Sequence, residues 1–129
     1  MLAFGPITPV LRSFDEAKAR EFYLGFLGFE LVFEHRFGDN FPLYMGVARG
    51  GAELHVSEHY GDATPGAQVR IRIDDVVAYA RELSAKNYRN AKPGTDCPPT
   101  EWGTRELTIS DPFGNRLTFW QPVEESGAA

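Results

Sequence analysis

Apolar residues recur along this chain in two rhythms, and the switches between them mark out the elements. Pro6–Leu11 is short and β-branched and reads as a strand. Ser13-Phe14-Asp15-Glu16 then fits a capping box in which Ser13 and Glu16 satisfy each other's free amides, predicting a helix. Ala19, Phe22, Tyr23, Phe26 and Leu27 follow at three- and four-residue spacing and give it one apolar face; Gly28 supplies the stop. Phe29–Phe37 reads as a strand. Leu43–Ala48 and Ala52–Ser57 read as an antiparallel pair turning at Arg49-Gly50-Gly51.

After the loop Gly61–Gly66 the order begins again. Val69, Ile71 and Ile73 alternate as a strand, Asp74 and Asp75 are helix starters, and Val76, Ala80 and Leu83 form a buried helical stripe. A Pro-rich loop from Lys92 to Trp102 leads to a strand over Arg105–Ser110, a type I turn over Asp111-Pro112-Phe113-Gly114, and a strand over Arg116–Gln121. The halves overlay with Asp15 on Asp74 and Phe29 on Tyr88, and with Leu54 and His55 on Leu117 and Thr118. The repeat is one of pattern, and it implies α+β architecture in two similar modules, about 5–60 and about 66–122, within a single domain spanning 1–129, with a frayed tail over 123–129.

Period-two alternation sorts the strands into two faces. Leu54, Val56, Val69, Ile71, Leu107, Ile109, Leu117 and Phe119 are the expected core positions. The opposite face carries His55 and Ser57, Gln68, Arg70 and Arg72, Glu106, Thr108 and Ser110, and Thr118 and Trp120. A polar face with aromatics and a histidine suits a ligand groove, and equally a solvated sheet face.

Composition narrows the classes. Eighteen Asp and Glu against 13 Lys and Arg give a formal charge of -5, which disfavours a nucleic-acid partner and favours cationic ligands. No apolar run reaches the roughly 20 residues of a membrane span. The N-terminus shows neither a basic segment nor a long apolar one, so the expected location is cytoplasmic. Cys97, the single cysteine, lies beside Pro98 and Pro99 and reads as an inert loop thiol.

Two stretches carry a family likeness. The run Phe14 to Tyr23 followed by Leu27-Gly28-Phe29 resembles the first helix and turn of the vicinal oxygen chelate superfamily, also called the glyoxalase, bleomycin-resistance and dioxygenase group. Trp102-Gly103-Thr104-Arg105-Glu106 and Asp111-Pro112-Phe113-Gly114-Asn115 resemble its bleomycin-resistance branch. The resemblance implies two β-α-β-β-β modules forming a cupped mixed sheet, and a homodimer.

It also implies where chemistry would sit. The superfamily's metal enzymes place one ligand on each of four strands, at positions that here hold Thr8, His55, Gln68 and Thr118. His55 is a good ligand and Gln68 a weak one, short of the three a divalent-metal enzyme needs. Recruiting Glu53 by a one-residue register slip would turn Leu54 and Val56 out of the core. No metal site and no cofactor is therefore expected.

The resemblance then implies a non-catalytic protein that sequesters bleomycin-type glycopeptides, or a related bulky ligand, in grooves at the dimer interface. The alternative is a divalent-metal-dependent glyoxalase-like lyase, dioxygenase or thiol transferase using His55 and Gln68. The expected ligand-binding residues are Phe33, Tyr44, His55, Ser57, Trp102 and Arg105, with Trp102 as a stacking platform or a hydrophobic plug under the Pro-rich loop. Glu34, Asp39, Glu58, Asp62 and Glu101 would lie near the groove, while Arg70 and Arg72 would repel a cation.

Overall fold

The computed structural model describes residues Met1–Val123. The chain divides into two compact units, Met1–Pro65 and a second that begins at Gly66. The architecture is α+β, with one mixed sheet in each unit.

In the first unit β1 (Val10–Arg12) is followed by α1 (Glu16–Arg20), which runs directly into a π-helical segment at Glu21–Phe26. The strands β2 (Glu30–His35), β3 (Tyr44–Arg49) and β4 (Ala52–Ser57) then form a sheet in the order β1-β4-β3-β2. β1 runs parallel to β4, and the other pairings are antiparallel. The expected strand over Pro6–Leu11 shortens to Val10–Arg12, because only from Pro9 onward does the backbone pair with β4: the His55 amide donates to the Pro9 carbonyl.

The helix start differs from the expected capping box. Asp15 is the N-cap; its carboxylate accepts from the Lys18 amide at 2.9 Å, while Glu16 turns instead to Arg20 and Arg36. Asp outranks the reciprocal Ser–Glu arrangement here because the first helical turn opens one residue pair later and the Ser13 amide is already committed to the Ser57 carbonyl. The widened turn that follows bonds the Leu27 amide to the Phe22 carbonyl, five residues back, and leaves Phe22, Tyr23, Phe26 and Leu27 all buried. Gly28 ends the segment at φ 78°, the left-handed conformation that a side chain resists.

In the second unit β5 (Gln68–Arg72) leads to α2 (Val76–Ala85) and then to β6 (Thr104–Ser110) and β7 (Arg116–Pro122). The sheet order is β5-β7-β6, with β5 parallel to β7 and β6 antiparallel to it. β7 thus takes the place that β4 holds in the first sheet, which agrees with the overlay of His55 on Thr118. Asp75, not Asp74, caps α2 through the Ala78 amide, so the cap equivalent to Asp15 is one residue later than the overlay placed it.

Among the described residues this unit has one strand fewer than the β-α-β-β-β order. The stretch that would supply the outer strand contains Pro93, Pro98 and Pro99, which offer no amide to a ladder. α2 packs on β6 and β7, with Tyr79 edge-on to Phe119 at 4.9 Å. Leu107, Ile109, Leu117 and Phe119 are buried, each contributing about 1.5–3 kcal/mol of hydrophobic stabilisation. Of the expected tail, Val123 donates its amide to the Gly103 carbonyl at 2.9 Å, and residues 124–129 lie outside the described residues.

Candidate functional site

In the first sheet one row runs Val10, His55, Gly46, Phe33 across all four strands, so these residues share a face. Gly46 leaves room there: the Phe33 ring lies where a Cβ on Gly46 would be, 2.3 Å from the ring's Cε1. Held in that notch, Phe33 meets His55 edge-on at 5.1 Å and stacks with Tyr44 at 6.1 Å. The Tyr44 hydroxyl is 2.7 Å from His55 Nδ1, and His55 Nε2 is 2.8 Å from a Glu53 carboxylate oxygen. A carboxylate only accepts, so Nε2 carries the ring proton of the neutral histidine and Nδ1 accepts from Tyr44. Burial, and then the charge of Asp62, raise the Tyr44 phenol above its ordinary range.

Phe33, Tyr44 and His55 are therefore brought together. Ser57 is not available beside them: it is fully buried, donates to Asp62 at 2.7 Å and accepts from the His59 amide. Glu53 was missed as a partner, although positions 53 and 55 share a strand face by alternation and no register slip is needed to bring them together. His35 and His59 meet the Phe37 ring edge-on at 4.5 and 5.5 Å.

The second sheet is organised around a carboxylate. Glu106 on β6 accepts from the Trp102 indole N–H at 2.8 Å, from the Thr104 hydroxyl at 2.6 Å and from both terminal nitrogens of Arg70 on β5. These bonds, that from Arg70 foremost, hold the Glu106 carboxyl down at about 2. Trp102 occupies the tip of a turn closed by the Thr100 amide on the Thr104 carbonyl, with Gly103 at φ 85°. The indole is 68% exposed yet pinned by its N–H, so it stands as a fixed aromatic plate in solvent, not as a plug. The guanidinium groups of Arg70 and Arg72 lie 5.5 and 5.4 Å from the Trp120 ring centroid.

Arg105, by contrast, sits in the opposite register from Glu106 and donates to the Cys97 carbonyl at 2.9 Å, anchoring the Pro-rich loop. Cys97 is buried, and its thiol is pushed up by that burial and by Asp96. The Asp111–Asn115 turn is a structural knot: Asp111 accepts from the Phe113 and Asn115 amides and from the Asn115 side chain, all at 2.8 Å.

The donor set does not fit a divalent metal. Both ring nitrogens of His55 already have partners, Thr118 is engaged with Thr108 and Gln68, and Thr8 is exposed. Among the described residues no group of three His, Cys, Asp or Glu is placed to hold a metal ion. No helix among them is long and apolar enough to cross a membrane.

A family model described as glyoxalase superfamily protein matches residues 1–126. Among solved structures, a bleomycin-binding protein complexed with bleomycin is 26% identical over 92% of this chain and 98% of its own, with a TM-score of 0.70. The bleomycin-binding protein from bleomycin-producing Streptomyces verticillus, complexed with copper(II)-bleomycin, is 30% identical over 97% and 100%, with a TM-score of 0.66. An antibiotic binding protein from Streptomyces sp. CB03234 is 28% identical over 95% and 99%, with a TM-score of 0.74. No curated protein matches the chain.

Proposed function

Because the chain belongs to the glyoxalase superfamily, we propose that it is a non-catalytic binding protein that sequesters a bulky antibiotic of the bleomycin type, or a related ligand, as a homodimer. The observation that carries this reading is Trp102. A large aromatic surface held out in water by a hydrogen bond to an ionised carboxylate costs hydrophobic free energy in the unliganded protein and loses little conformational entropy when a flat ligand stacks on it. Phe33, Tyr44 and His55 support it, since they put a second aromatic and hydrogen-bonding surface on the first sheet. Structural relatives that bind bleomycin support the ligand class.

The homodimer is supported by apolar side chains that stand in solvent, namely Leu2, Phe4 and Ile7 before β1 and Leu31, Val32 and Phe33 on the edge strand β2. A cytoplasmic location belongs to the same proposal. Calorimetry with bleomycin tests it. The wild type should bind saturably with one site per chain, and Trp102→Ala should weaken binding by more than about 1 kcal/mol, as loss of a stacking anchor does. An absence of both binding heat and thermal shift with bleomycin overturns the reading.

A further inference from the structure

The second sheet points to a charge on the ligand opposite to that suggested by the chain's net charge. On its open face, side chains line up in rows across β5, β7 and β6: Gln68 with Arg116 and Ser110, Arg70 with Thr118 and Thr108, Arg72 with Trp120 and Glu106. In these rows of described residues, three guanidinium groups stand with one carboxylate. Glu106 neutralises Arg70 through a two-pronged contact. Arg72 and Arg116 are exposed, and among the described residues neither forms an ion pair. The face is locally cationic on an acidic protein.

Arg72 is also prepared for a partner. Its guanidinium lies over the Trp120 ring at 5.4 Å from the centroid, a cation–π contact that restrains the side chain, so less rotamer entropy is left to lose when its N–H groups meet an oxyanion. Arg72 and Glu106 flank Trp120 in one row, two strand spacings or roughly 10 Å apart, and Glu106 holds the Trp102 plate. Trp102, through Glu106, and Arg72, through Trp120, are thus tied to the same row, and a planar ligand laid along that row would meet both.

We propose that this face binds a planar aromatic bearing an oxyanion, with the ring on Trp102 and the oxyanion on Arg72. The inference rests on the small-molecule-binding reading above and narrows its ligand class. Carboxylate and phenolate ligands share the required chemistry; a purely cationic ligand does not, since it would meet Arg72 unscreened.

The test uses 2-naphthoate and its neutral isostere 2-naphthamide, followed by the indole N–H resonances of the full-length protein. The chain has two tryptophans, Trp102 and Trp120, and both lie at this face, so the readout is specific to it. The wild type should bind naphthoate at least tenfold tighter than naphthamide, with both resonances shifting. Arg72→Gln should bring the two affinities within twofold, and Arg72→Lys should keep part of the preference. Equal binding of acid and amide by the wild type overturns the proposal, as does a preference that survives Arg72→Gln. Bleomycin calorimetry on the same samples separates the two readings. Bleomycin binding without naphthoate binding sinks this inference alone; naphthoate binding without bleomycin binding keeps it and sinks the bleomycin-type reading.

Discussion

The notch at Gly46 makes a prediction that changes sign with its neighbour. In Gly46→Ala the new Cβ would lie 2.3 Å from Phe33 Cε1 and 2.8 Å from Cδ1, more than 1 Å inside contact for the first and well inside for the second. The atoms met belong to one side chain and not to backbone, and that side chain stands on an edge strand at 37% exposure, so the ring leaves for solvent and the sheet survives. The cost is then what Phe33 loses. Its partial burial is worth about 1–2 kcal/mol, and its contacts with Tyr44 and His55 add about 0.5–1 kcal/mol. Gly46→Ala should therefore destabilise by about 2 kcal/mol, close to the cost of Phe33→Ala itself. With Phe33 already replaced by alanine the notch is empty, and Gly46→Ala should become neutral or stabilise by about 0.4–1 kcal/mol through the unfolded chain. Urea unfolding of the wild type, both single variants and the double variant gives the coupling, expected at about 2–3 kcal/mol. An equal cost of Gly46→Ala in both backgrounds would refute the packing described here.

Three further outcomes are expected. Glu106 has a folded-state carboxyl pulled below its unfolded value of 4.5 to about 2, so its contribution to stability is full above 4.5 and is lost as pH falls toward 2; Glu106→Gln should flatten the acid limb of a thermal melt over that window and leave the rest of the profile in shape. Asp111→Ala removes the acceptor for two buried donors and one part-buried one and should cost about 3–5 kcal/mol by urea unfolding, the most severe of these single changes. Asp15→Ala should cost about 1 kcal/mol, whereas Glu16→Ala should cost no more than a fraction of that through lost capping, since the cap is Asp15; circular dichroism melts of the two variants rank them.

Much of this organisation was legible because it depends on short-range periodicity. Leu54, Val56, Ile71, Leu107, Ile109, Leu117 and Phe119 are buried as the alternation required, and the apolar face of the first helix is buried even though its second half winds as a π-helix. What was not legible depends on competition between equivalent local signals. Ser13 and Asp15 both suit an N-cap, and Asp74 and Asp75 both suit a helix start; the sheet holds the Ser13 amide on the Ser57 carbonyl and the Ile73 amide on the Trp120 carbonyl, and each helix is capped by the later residue of its pair. At the candidate site, side-chain type located Trp102 and His55 but could not give their partners. The row that joins Arg72, Trp120 and Glu106 comes from parallel pairing of β5 with β7, and such pairing joins residues nearly fifty positions apart. Arg105 and Ser57 show the converse: each has a suitable functional group, and each is engaged with its own backbone or loop.

Charge needs the same distinction between the chain and the surface that a ligand meets. The net value of -5 arises mostly in the first unit, where Met1–Pro65 holds nine Asp and Glu against five Lys and Arg; from Gly66 onward the count is nine against eight. Even that near balance conceals a segregation. Asp111 is buried within its turn and Asp75 caps a helix, while in the strand rows of the sheet's open face Arg70, Arg72 and Arg116 are opposed, among the described residues, by Glu106. Since charge interactions between exposed groups are screened over roughly 8 Å at physiological salt, a ligand on that face responds to the charges within that reach, Arg70, Arg72, Arg116 and Glu106 among them, and not to the net charge of the chain. Raising the ionic strength should therefore weaken naphthoate binding at the second sheet while leaving a stacking contribution from Trp102 that salt does not remove.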